Sequence, residues 1–174
     1  FSPATRNVVL PVLPFDLAAV PRAAITACGS VFYAGMVVRT WLEDIARLPV
    51  DIYVASVMRY RTPPLTAASL GLLLSQSGET ADTLAALRSL REKAIHILSV
   101  LNVEHSTMAR ESDVLLGTVA GPEISVASTK AFTAQLTVLA CLTIATARAR
   151  GTLDPLGEEE LVAALMDLPS RTAE

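Results

Sequence analysis

The succession of short apolar runs constrains this chain most. "AAITACG" at 23–29, "VDIYVAS" at 50–56, "SLGLLLS" at 69–75, "AIHILSV" at 94–100 and "VLLGTV" at 114–119 are near-continuous hydrophobic stretches of strand length. A strand that is apolar on both sides must be covered on both sides, which is the situation of a parallel sheet between layers of helices. The intervening segments fit that role. "VFYAGMVVRTWLEDIARL" has apolar residues near helical spacing, with Glu43 and Asp44 on a polar face. Further helices are predicted from about Glu79 to Lys93, over "STMARESD", and from about Val126 to Arg150. Strand then helix, repeated with right-handed crossovers, predicts an α/β fold: a doubly wound, five-stranded parallel sheet in a three-layer sandwich.

The flanks read differently. Residues 1–22 hold Pro3, Pro11, Pro14 and Pro21. Each removes a backbone donor and disfavours helix in the residue before it, so this stretch is expected to be an extended arm or linker. Residues 23–150 are expected to form the domain, and 151–174 a C-terminal amphipathic helix, "LDPLGEEELVAALMDLPSR", ended by Pro169. At 174 residues a single domain can bury about 70% of its unfolded surface.

Composition excludes several function classes. Fourteen Lys and Arg against seventeen Asp and Glu leave a net charge of −3 without a basic stripe, which argues against nucleic acid as a partner. Cys28 and Cys141, with only His96 and His105 besides, have neither metal-ligand spacing nor the density of a disulfide framework, so no metal is expected. No signal peptide precedes them, and a cytoplasmic location is the expectation. "AFTAQLTVLACLTIATARA" approaches the length of a membrane span, about 20 residues. It contains Gln135 and four threonines and runs into Arg148 and Arg150, so a helix buried in a core, with no membrane, is predicted. The 52% hydrophobic content also predicts an apolar face for a partner or for self-association into a homo-oligomer.

Two polar loops follow predicted strands, "CGS" at 28–30 and "SQSGET" at 75–80. With strand order 2-1-3-4-5 they flank one crevice at the carboxyl ends of the strands, where such sheets bind ligands. The second loop has the chemistry for a phosphate. Gly78 permits close backbone approach, a helix starting near Glu79 presents unpaired N–H groups, and Ser75, Ser77 and Thr80 add hydroxyl donors. The Walker lysine and the GxGxxG fingerprint are absent, which weighs against a nucleotide. The alternative is an ordinary turn with Ser77 as helix N-cap. In the anion reading the Glu79 carboxylate must point away. A third cluster, "EISVASTK" at 123–130, offers Ser128, Thr129 and Lys130 to an anion, or is simply a capped helix start.

"ACGS…YAG", "RYR" at 59–61, "LSQSGETADTL" and "GPEISVASTKAF", in this order and spacing, resemble the first sugar-isomerase lobe of the glutamine:fructose-6-phosphate amidotransferase family. The resemblance runs from roughly Leu13 to Ser170 and implies a flavodoxin-like sugar-isomerase (SIS) sandwich that binds fructose 6-phosphate or glucosamine 6-phosphate without a cofactor. By that resemblance Ser75, Gln76, Ser77 and Thr80 hold the phosphate, while Ser30, Val31, Val126 and Ser128 line the sugar. Two positions depart from the family pattern. Val31 replaces a frequent serine, and Val57 replaces a common acidic residue, which leaves Arg59 or Arg61 without a usual partner.

The resemblance also implies what the chain lacks. The family's glutaminase cysteine, and the second lobe's imine-forming lysine, glutamate base and histidine, have no counterparts here. A phosphosugar-binding lobe of an aminotransferase is therefore expected, inactive alone and partnered by a glutaminase domain and a second SIS lobe. The alternative is a stand-alone SIS-type sugar-phosphate sensor, which would need a basic helix-turn-helix segment of the kind that residues 1–22 do not contain.

Overall fold

A computed structural model of the chain describes residues 2, 5–61, 63–93, 95–122 and 129–172. Its strands are β1 (Ala23–Ala27), β2 (Val50–Val54), β3 (Leu70–Leu74), β4 (His96–Leu101) and β5 (Val114–Gly117). All pair in parallel, in the order β2-β1-β3-β4-β5. The helices are α1 (Ser30–Asp44), α2 (Ala55–Met58), α3 (Ala81–Arg91), α4 (Thr107–Glu111), α5 (Lys130–Ala149) and α6 (Pro155–Thr172). The predicted doubly wound α/β sandwich is the observed fold, and so is the strand order that put the two polar loops beside one another.

The continuous apolar runs are explained by the two cores. Ile25, Leu72, Leu74, Leu98 and Val100 face α1 and α5 in one cluster with Ala34, Val38, Leu42 and Leu139. Leu73, Ile97 and Leu101 project to the opposite side, where they meet Leu84, Leu87 and Leu90 of α3. Successive residues of β3 thus serve different cores, and all five are buried. Burial of each such leucine stabilises the fold by about 1.5–3 kcal/mol. α1 approaches the sheet closely at Gly35, where a Cβ would stand 2.9 Å from Ile25 Cγ2.

α5 has the length and composition of a membrane span, but half of that window is buried, and Leu139 and Leu142 belong to the sheet core. It packs as a core helix. The segment before β1 lies against the domain with Val8, Leu17 and Val20 buried. The buried Glu158 carboxylate accepts the Val8 N–H at 2.8 Å and Arg148 Nη1 at 2.6 Å, which ties segment, α5 and α6 together.

Several boundaries differ from the sequence expectations, among them these three. The second strand stops at Val54, and residues 55–58 turn into α2. The long helix predicted from Val126 begins at Lys130, after residues 123–128, which lie outside the described residues. α6 does not end at Pro169 but continues to Thr172. Only one exposed turn follows the proline, and it is held by Ser170 Oγ donating to the Asp167 carbonyl and by the Arg171–Asp167 ion pair at 2.6 Å. A proline so near the end disturbs little of the helix.

Candidate functional site

β1 and β3 are neighbours in the sheet, and their crossovers leave to opposite faces, α1 to one core and α3 to the other. The chain leaving β3 is fixed at every polar atom of Ser75. Its N–H donates to Val100 O at 3.2 Å, its carbonyl accepts Gln135 Nε2 at 3.3 Å, and its Oγ accepts the Gly78 N–H at 3.0 Å. The Gln76 carbonyl accepts the N–H groups of Asn102 and Val103, and the Gly78 carbonyl accepts that of Met108. Gly78 sits at φ 66°, and a Cβ there would run into Ser106 Cβ and Oγ. Glycine is therefore required twice over, by backbone conformation and by space.

Ser77 is not the helix N-cap; that position belongs to Thr80, whose side chain makes no capping bond. Ser77 Oγ accepts the Glu79 N–H at 3.2 Å and so closes a small turn. A hydroxyl that accepts still has its proton to give. The turn geometry and the anion chemistry thus coexist in Ser75 and Ser77. Behind them stands the start of α3, whose first N–H groups have no intrahelical acceptor and carry the positive end of the helix dipole.

The nearby acids are occupied elsewhere. Glu79 Oε1 accepts the Thr107 N–H at 2.6 Å and caps α4, and that bond holds its carboxyl below the usual range. Asp82, in the first turn of α3, pairs with Arg59 Nη1 at 3.3 Å. Val57 offers the neighbouring arginines no charge, and other groups take that place. Arg59 has Asp82, and the Arg61 guanidinium lies 5.9 Å from the centre of the Tyr53 ring.

A cavity of about 230 Å³ lies between the loops. Of the residues named from sequence, Val31, Ser75, Gln76, Ser77 and Thr80 line it. Ser30 opens α1 as an exposed residue and is not in the lining, while Val31 also packs against the larger core. Val126 and Ser128 lie outside the described residues. Leu74 is a second apolar wall residue beside Val31. The lining also includes Cys28, from the "CGS" loop placed at the crevice from sequence, and Thr83, which sequence reasoning missed; the two meet at 4.0 Å with the Thr83 hydroxyl donating to the thiol. Thr83 had a signal: it stands three residues after Thr80, the spacing that shares one helix face. Among the described residues no group of three or more His, Cys, Asp or Glu side chains is placed to hold a metal.

Comparison with known proteins agrees with this geometry. The pattern of the SIS domain family matches residues 16–145. Glutamine–fructose-6-phosphate aminotransferase (isomerizing) of Gluconobacter oxydans is 66% identical over 172 residues, covering 99% of this chain and 28% of the relative. The enzyme of the same name from Bradyrhizobium diazoefficiens is 55% identical over 167 residues, with 95% and 28% covered. Among solved structures, the C-terminal domain of glucosamine-fructose-6-phosphate aminotransferase from Francisella tularensis superposes with a TM-score of 0.86 at 37% identity. The match covers 88% of this chain and 43% of that one. The chain thus spans 28% of the length of these two curated relatives, and that part is their sugar-isomerase region. With the family pattern covering the whole sheet and both polar loops that border the cavity, the chain belongs to the SIS domain family.

Proposed function

We propose that the cavity binds the phosphate of fructose 6-phosphate or glucosamine 6-phosphate, and that the chain is the phosphosugar-binding lobe of a glutamine-dependent aminotransferase of the isomerizing type. One observation carries the reading. Four hydroxyl-bearing residues, Ser75, Ser77, Thr80 and Thr83, line one cavity at the start of α3, at the point where the crossovers of β1 and β3 diverge. A helix N-terminus with hydroxyl donors is suited to a monophosphate without any lysine. The names of the relatives supply the sugar.

In a whole enzyme of that type the chemistry is imine formation, ammonia transfer and a proton shift between C1 and C2 of the sugar. This lobe contributes phosphate binding energy and orientation. None of the described residues lining the cavity is a lysine, histidine or carboxylate, and the imine-forming amine and the base are assigned to other segments. The chain by itself neither isomerises the sugar phosphate nor hydrolyses glutamine. Its partners are a second SIS lobe and a glutaminase domain, reached through the segments 1–22 and 151–174, and its compartment is the cytoplasm. Copies associate through exposed apolar side chains, of which Tyr33, Met36 and Val37 on α1 are examples.

Calorimetric titration with fructose 6-phosphate tests the reading. Binding that is competed by inorganic phosphate and weakened by Thr80→Ala supports it. No heat at millimolar ligand, or equal affinity for fructose lacking the phosphate, overturns it.

A further inference from the structure

Gln135 occupies a place where a leucine would be the cheaper residue. It lies on the buried stripe of α5 with Ala131, Leu139 and Leu142, and is itself only 1% exposed. Burying an amide there is unfavourable unless it is fully hydrogen-bonded, and Gln135 is not: its Oε1 has no partner among the described residues. Its one side-chain bond among the described residues runs from Nε2 to the carbonyl of Ser75, sixty positions away in sequence, at 3.3 Å. A side chain that spends core space to reach the loop bordering the cavity is better explained by the site than by the core.

We infer that Gln135 is a positioning residue for the phosphate loop. It acts through Ser75 and does not touch the ligand. With the Ser75 carbonyl held from α5 and its N–H held from β4, the Ser75 hydroxyl is locked onto the Gly78 N–H, and the turn through Gln76 and Ser77 takes a single shape. A preformed loop binds an anion without the entropic cost of ordering it. The inference rests on the proposed reading of the cavity.

Two substitutions in this chain separate positioning from plain structure. Gln135→Met keeps the unbranched shape and removes the donor. A positioning role predicts an unchanged or higher melting temperature, since a half-satisfied buried amide is lost, together with a Kd for fructose 6-phosphate raised about tenfold, the scale of one hydrogen bond. Gln135→Glu has a donor only when its carboxyl is protonated, and burial raises that pKa. Affinity relative to wild type, measured at each pH, is therefore restored as pH falls through the raised value and lost as pH rises. Wild-type affinity in the methionine variant overturns the inference. So does a lowered melting temperature in that variant with no acid recovery in the glutamate variant. Failure of the wild-type chain to bind fructose 6-phosphate defeats the reading of the cavity first; wild-type binding with an unaffected Gln135→Met variant defeats this inference alone.

Discussion

Glu79 Oε1 accepts the backbone N–H of Thr107 at 2.6 Å, so the acidic residue of the "SQSGET" loop serves the start of α4 and not the cavity. The loop can present hydroxyls and helix dipole to an anion because its carboxylate is engaged elsewhere. The Thr107 backbone bond is the largest cause of a carboxyl pKa below its ordinary 4.5, followed by the Thr107 side chain, with Arg110 adding attraction. A depressed folded-state pKa gives stability that is present above the unfolded value and lost as pH falls through the folded one. Glu79→Gln is therefore expected to be less stable than wild type near neutral pH, with the difference closing as the solution is acidified below 4.5. Denaturant melts at a series of pH values check this. A difference that widens in acid would contradict it.

Gly78→Ala is expected to destabilise the chain by about 2–4 kcal/mol, from left-handed backbone strain plus overpacking. The added methyl would run into Ser106, which also caps α4 by accepting the Ala109 N–H at 3.3 Å. Adding Ser106→Gly removes the obstructing Cβ and Oγ, so the double variant should fall short of the sum of the two single losses. Strict additivity in thermal melts would mean that the two residues do not meet.

Val31 lines the cavity and packs against the larger core. Valine offers a ligand oxygen no donor. Val31→Ser is expected to tighten fructose 6-phosphate binding by about 0.5–1.5 kcal/mol through one added hydrogen bond. The lost packing should lower stability by about 1 kcal/mol. Calorimetry and melts on one preparation separate the two effects. Unchanged or weaker binding would show that this position contributes its backbone and not its side chain.

Much of the fold was legible because the central β-runs are apolar on both faces, as at Leu72, Leu73 and Leu74, where neighbours serve opposite cores. Only a sheet covered on both sides accepts such a run. The order of the strands was not written in any residue; it was assumed from among the few topologies that crossover handedness allows. The site was legible where glycine and hydroxyls cluster in sequence, at Ser75 to Thr80. It was illegible where the fold gathers residues from afar: Cys28 and Thr83 are 55 positions apart and meet only because β1 and β3 are adjacent. Pro169 misled because a proline breaks a helix interior, whereas one turn from the end the loss is small.

The most direct test of the central claim is an amide-resonance map of the chain titrated with fructose 6-phosphate, repeated with Ser77→Ala and Thr80→Ala. The account predicts shifts concentrated at residues 28–31 and 75–83. It also predicts that each variant weakens binding by about 1.5–3 kcal/mol, the value of a hydrogen bond to a charged group. Shifts confined to other loops, or wild-type affinity in both variants, would contradict it.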